Sequence, residues 1–139
     1  MTPPEVTAQG QSGPGAGKPP AVSVCVVLTR RADFLRAAQA LRRGTQGFLL
    51  QARERRAGEG PEGVIRIGFT CSKKIGNAVA RNRAKRRLRE IARAVIPARG
   101  QPGWDYVLVG RPDATATRDF DAMRTDLERA LHQIHEGRV

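Results

Sequence analysis

Residues 64–96 read Val64-Ile65-Arg66-Ile67-Gly68-Phe69-Thr70-Cys71-Ser72-Lys73-Lys74-Ile75-Gly76-Asn77-Ala78-Val79-Ala80-Arg81-Asn82-Arg83-Ala84-Lys85-Arg86-Arg87-Leu88-Arg89-Glu90-Ile91-Ala92-Arg93-Ala94-Val95-Ile96. Two periodicities lie end to end in this stretch. Over 64–72, Ile65, Ile67, Phe69 and Cys71 alternate with Arg66, Gly68, Thr70 and Ser72. A period of two predicts a strand with one apolar and one polar face. Over 79–96, Ala84, Leu88, Ile91 and Val95 fall at i, i+4, i+7 and i+11, one apolar stripe of a helix. Asn82, Arg86, Arg89 and Arg93 repeat that spacing on the opposite side, with Arg83 and Lys85 flanking them. Pro97 is expected to end the helix, because proline has no N–H for the ladder.

Working outward, Thr29 is a candidate cap for a helix over about 30–43, with Phe34, Leu35, Ala38 and Leu41 at apolar spacing and Gly44 as its stop. Residues 47–54 form a predicted strand, Phe48, Leu50 and Ala52 inward and Gln51 and Arg53 outward. The run 57–63 is a turn-rich loop, and the short 44–47 region leaves room for an extra strand. Trp104–Val109 is a further strand after a Gly-Gln-Pro-Gly turn. A last helix is expected from Thr117 to about His135, with Phe120, Met123, Leu127, Leu131 and Ile134 inward. The order α-β-β-(β)-α-β-α describes an α+β fold, a helical layer on a small sheet. Residues 1–21 are rich in Pro and Gly and read as a disordered arm, leaving 22–139 as one domain. Gly13–Lys18 imitates a phosphate loop, but Ser12 and Pro19 break the pattern.

The 139 residues carry a formal net charge of +12. Residues 71–99 hold 10 basic groups and one acidic group, Glu90, a net +9, whereas residues 100–139 are net −2. No apolar run approaches the roughly 20 residues that span a bilayer. Charge concentrated in this way points to a built face for a polyanion, and nucleic acid is the commonest. Within 81–93 arginine outnumbers lysine six to one. Guanidinium forks clasp phosphates bidentately and stack on base planes, which ammonium groups do not. Solvated helix faces interleave both signs, and this one does not. Neutralising roughly 6–10 phosphates makes binding steeply salt-dependent. The polar side of the sheet is a second candidate surface. Gln51, Arg66, Thr70 and Ser72, walled by a helix bearing Phe34, would suit a single strand whose bases stack on that ring.

No catalytic set is visible. There is no supported nucleophile triad, no carboxylate pair and no metal-ligand spacing. Cys25 and Cys71 lie far apart without a CxxC, as expected for thiols in a reducing cytoplasm. His132 and His135 read as part of a helix surface.

With Arg81-Asn82-Arg83 and Lys85-Arg86-Arg87 in view, the chain resembles the protein subunit of bacterial ribonuclease P. Leu28-Thr29-Arg30-Arg31-Ala32-Asp33-Phe34 is similar to that family's opening helix signature. Residues 66–79 are similar to its central strand and bend, and Tyr106-Val107-Leu108-Val109-Gly110-Arg111-Pro112 to its last strand. The resemblance implies a parallel βαβ crossover of unusual left hand, against the general rule. It implies a single RNA-binding domain that docks on a large RNA subunit and holds the 5′ leader of precursor tRNA. That RNA carries the Mg²⁺ and cleaves the phosphodiester. The protein holds no catalytic residue or cofactor of its own and needs no protein partner or membrane, and the setting is cytoplasmic. By position, Phe34, Gln51, Arg66, Thr70, Ser72, Arg81 and Asn82 are leader candidates. Lys73, Lys74, Arg83, Lys85, Arg86, Arg87, Arg89 and Arg93 are candidates for the RNA subunit. The chain departs from the family where a second aromatic often follows the first by four residues, here Ala38, and on the first long strand, here Gln51. The rival reading of the same basic helix is a structural RNA-binding protein of ribosomal type. A membrane-surface helix fits less well, since the basic face lacks aromatic side chains to insert.

Overall fold

The strand read over 64–72 is present as β4, Ile65–Thr70, inside a five-stranded sheet of a computed structural model that describes residues 24–136. The other strands are β1 (Cys25–Val27), β2 (Leu41–Gly44), β3 (Phe48–Glu54) and β5 (Trp104–Gly110). The helices are α1 (Arg31–Ala38), α2 (Ala78–Arg99), α3 (Ala114–Thr117) and α4 (Phe120–His135), and a 3₁₀ turn, Lys73–Ile75, joins β4 to α2. Spatial order is β1-β4-β5-β3-β2. β4 runs parallel to both β1 and β5, while β3 is antiparallel to β5 and to β2. The β4–α2–β5 segment is therefore a parallel crossover. The Pro/Gly-rich arm expected over 1–21 lies outside the described residues.

One face of the sheet carries the main core. Ile65, Ile67, Phe48, Leu50, Ala52, Trp104, Tyr106 and Leu108 meet Leu88, Ile91, Val95 and Ile96 of α2 and Met123, Leu127, Leu131 and Ile134 of α4. Each large apolar side chain buried this way contributes about 1.5–3 kcal/mol, which outweighs modest local propensities. The stripes predicted for α2 and α4 are thus the faces that pack. The opposite face of the sheet carries a smaller cluster, Leu28, Ala37 and Val107, with Phe34 and Val109 half-buried against it. α1 lies over this face.

Several boundaries differ from the sequence reading, each for a tertiary reason. α1 stops at Ala38, and residues 41–44 are a strand rather than the end of a helix. Their backbone groups pair with β3, Leu41 opposite Ala52 and Gly44 opposite Leu49. Leu35 and Leu41 are consequently exposed, and Ala37 and Asp33 take the buried positions of α1. Arg30, not Thr29, stands at the N-cap of α1. The turn after β2 is closed by Thr45, whose hydroxyl donates to the Phe48 carbonyl at 2.8 Å and accepts from the Phe48 N–H at 3.0 Å. β1 was not foreseen as a strand; its three residues pair with residues 65–67 of β4. α2 continues past Pro97 to Arg99, because buried Val95 and Ile96 hold the last turn in the core. Gly100 N–H donates to the Ile96 carbonyl at 2.7 Å, closing that turn beyond the proline. The last helix begins at Phe120 instead of Thr117, since the Asp119 carboxylate accepts from the Ala122 N–H at 3.1 Å and caps it.

Candidate nucleic-acid interface

The route from β4 into α2 places the basic helix. Ser72 Oγ accepts from the Lys74 N–H at 3.3 Å, starting the 3₁₀ turn. Gly76 follows with φ of 142°, a backbone angle that side-chain-bearing residues rarely adopt. Asn77 Oδ1 then accepts from the Ala80 N–H at 2.9 Å and caps α2. With Ala84, Leu88 and Ile91 buried, the opposite side of the helix must face solvent. Asn82, Arg83, Arg86, Arg89 and Arg93 are exposed there, and Lys73 and Lys74 are exposed on the turn before it. Among the described residues none of the ion pairs takes in an arginine of that face. An unpaired guanidinium row is ready for phosphates.

The two flanks of α2 differ. Arg81 and Lys85 are half-buried and lie towards Cys71 at the end of β4, where their charges partly counter the effect of burial, which pushes the Cys71 thiol up. Arg89 lies 5.6 Å from the centre of the Phe69 ring. Arg87 points the other way. Its guanidinium donates to the Arg118 carbonyl and lies 3.7 Å from the Met123 sulfur, tying α2 to the α3–α4 junction. Arg87, 100° around the helix from Arg86, thus lies half-buried on the flank that faces the α3–α4 junction, apart from the exposed row.

The outer sheet face is built in register rows. The first is Arg66, Asp105 and Arg53; the second is Gly68, Val107, Gln51 and Arg42; the third is Thr70, Val109, Leu49 and Gly44. In the first row, Asp105 is fully buried and accepts from Arg55 at 2.6 Å and from Arg66 at 2.8 and 2.7 Å. Arg66 also reaches Asp33 of α1 at 3.3 Å. Asp105 beside it holds the Arg66 guanidinium charged. Arg66 thus ties α1 to the sheet and is not an open phosphate group. In the second row α1 covers the surface. Gly68 is the reason it can: a Cβ there would lie 2.5 Å from the Phe34 ring. Phe34 is seated on that glycine, half-buried, and Gln51 is only 8% exposed. The third row lies half-open, with Thr70, Val109 and Leu49 all partly exposed, and Ser72 exposed just beyond.

The structure brings Phe34, Thr70 and Ser72 to the open end of the outer face, while Gln51 is buried and Arg66 is half-buried in its ion pairs. Two cations at this end were not read from the sequence. Arg42 is exposed beside Gln51 in register, and the Arg111 guanidinium lies 3.0 Å from where a Cβ on Gly44 would sit. Arg111 was legible, two residues beyond Val109 on the same face of an alternating strand. Arg42 was not, because its segment was assigned to a helix.

Over residues 23–135 the sequence matches the family described as Ribonuclease P. The chain belongs to the ribonuclease P protein family. Among its relatives, the "Ribonuclease P protein component" of Ruegeria pomeroyi is 63% identical over 122 residues, covering 84% of this chain and 96% of that one. The protein of the same description from Paramagnetospirillum magneticum is 46% identical, covering 77% and 80%. In structure, the ribonuclease P protein of Thermotoga maritima superposes with a TM-score of 0.63 at 28% identity, covering 78% of this chain and 96% of that one. The Staphylococcus aureus protein shares the fold, with a TM-score of 0.61. The ribonuclease P family is the one the Arg81–Arg87 segment resembles, and its α+β fold is the one described above.

Proposed function

We propose that this chain, as the protein component of a ribonuclease P, docks the exposed face of α2 on the RNA subunit and holds the 5′ leader of precursor tRNA along the open outer face of the sheet. The observation that carries the reading is the exposed row Arg83, Arg86, Arg89 and Arg93, which no carboxylate neutralises among the described residues. Lys73, Lys74 and Lys85 extend that row. Phe34, Thr70 and Ser72, joined by Arg42 and Arg111, form the leader side, and Arg81 and Asn82 at the start of α2 would meet the leader where it leaves the sheet. Phe34 offers an aromatic edge for a base, and Arg42 and Arg111 offer charge for the backbone.

Hydrolysis of a phosphodiester with metal ions needs carboxylates or equivalent groups to hold them. On the outer sheet face Asp33 and Asp105 are taken by arginines, and α2 carries Glu90 as its one carboxylate. No group of three His, Cys, Asp or Glu able to hold a metal occurs among the described residues. We place the Mg²⁺ and the bond cleavage with the RNA, as the family resemblance implies. The protein contributes binding energy that precursor tRNA receives and mature tRNA does not, because only the precursor has a leader.

The test is cleavage of precursor tRNA by the matching RNA subunit at low Mg²⁺, with and without the protein. Stimulation together with tighter binding of precursor than mature tRNA is the expected result. Binding that ignores the leader would instead mark a structural RNA-binding protein.

A further inference from the structure

On the core side of the sheet, beyond the packed helix pair, a groove of about 290 Å³ opens between β1 and α2. Cys25, Val27, Ile67 and Phe69 give it an apolar floor, and Ala92 and Pro97 close one wall. Arg89 and Arg93, both from the exposed row, stand on the α2 side of it. β1 is an edge strand of three residues and leaves Val27 69% exposed. An uncovered apolar strip on a sheet edge is commonly a contact site.

We infer that this groove takes an unpaired nucleotide of the RNA subunit. The base lies on the Val27–Phe69 floor against the Arg89 guanidinium, and its flanking phosphates lie on Arg89 and Arg93. The inference rests on the RNA-docking reading and adds a specific pocket to it. The chemistry asks for an occupant that is flat and apolar at its centre and anionic at its edges. Splayed-out RNA bases meet that description, since they stack on aromatic rings and on Arg planes, whereas a duplex backbone needs no pocket. A second copy of the chain fits poorly, because it would set Arg89 and Arg93 against groups of the same sign on a chain of net charge +12. Burial pushes the Cys25 thiol up to about 11, so at neutral pH the floor stays uncharged.

The test uses the full chain with its RNA subunit and base-specific chemical probing of the RNA. Val27→Trp fills the groove from an exposed position, where the fold tolerates bulk. The wild-type complex is expected to protect one unpaired base that the Val27→Trp complex leaves reactive, with affinity about tenfold lower and the remaining protections unchanged. Identical base protections in the two complexes would overturn the inference. So would a concentration-dependent dimer of the wild type that Val27→Trp abolishes, because a second copy would then own the groove. Absence of any RNA protection by the wild-type protein would remove the docking reading itself, a result distinct from loss at one base. Should circular dichroism show Val27→Trp misfolded, Phe69→Leu keeps the apolar floor and removes the stacking ring. It must expose the same base for the inference to stand.

Discussion

The arginines on the outer sheet face and those on the exposed side of α2 share one chemistry and have opposite circumstances. Arg55 and Arg66 converge on Asp105 and are nearly removed from water, with Asp33 completing the set. Arg83, Arg86, Arg89 and Arg93 stand on a helix whose only acidic residue is Glu90. The first group spends its charge inside the molecule, and it orients α1, hence Phe34, over the sheet. The second group keeps its charge for a partner. Net charge counts both groups alike, so it overstates the cations available for RNA. What separates them is whether the fold places a carboxylate within reach.

The sharpest way to break this contrast is Asp105→Ala. Removing the shared carboxylate leaves two buried or half-buried guanidinium groups without their partner, which costs about 3–5 kcal/mol. Denaturant unfolding should show that loss, and a change under 1 kcal/mol would mean that the network is not a structural clamp. Gly68→Ala comes next. Its methyl would occupy the space of the Phe34 ring, so stability should fall by about 1–3 kcal/mol and leader discrimination should fall with it. Loss of stability with unaltered preference for precursor would remove Phe34 from the leader surface.

Arg86→Ala with Arg89→Ala should do the reverse. The melting temperature should hold within a degree or two, while affinity for the RNA subunit drops at least about tenfold and the salt dependence shallows by roughly two phosphates. A large stability loss from this pair would contradict the division. The smallest effect belongs to Glu59, which accepts from Arg53 and from the Arg56 N–H. These hold its carboxyl down at about 2, below the ordinary range for glutamate. A depressed carboxyl stabilises the fold above its unfolded pKa, near 4.3, and that contribution fades as pH falls towards 2. Glu59→Gln should therefore lower stability slightly at neutral pH, with the difference from wild type fading as pH falls from about 4.3 towards 2, and a variant that matches wild type at neutral pH would show that the Glu59 contacts contribute nothing.

Much of the fold could be read directly. The alternation of Ile65 to Cys71 and the Ala84-Leu88-Ile91-Val95 stripe located β4 and α2, because a half-buried strand and a one-sided helix each impose a period on their own residues. Arg86, Arg89 and Arg93 were legible for the same reason, lying opposite that stripe. The position of Arg87 was not legible, because it is adjacent to Arg86 in sequence but a quarter-turn around the helix, where α3 and α4 happen to pack. Residues 41–44 were misread because Leu-Arg-Arg has helical propensity, and only β3 offers those backbone groups a ladder. Pro97 read as a stop because the local rule knows nothing of the core that grips Val95 and Ile96.

Local periodicity and charge thus determined the α+β class, the basic helix and its outward row, since each depends on neighbours within a few positions. The tertiary structure decided which arginines remain unpaired, that Phe34 rests on Gly68, that Gln51 is covered, and that β1 and α2 enclose a groove. Each of these depends on groups far apart in the chain, such as Asp105 with Arg66, 39 residues apart, and no period within a segment encodes which distant partner the fold will bring.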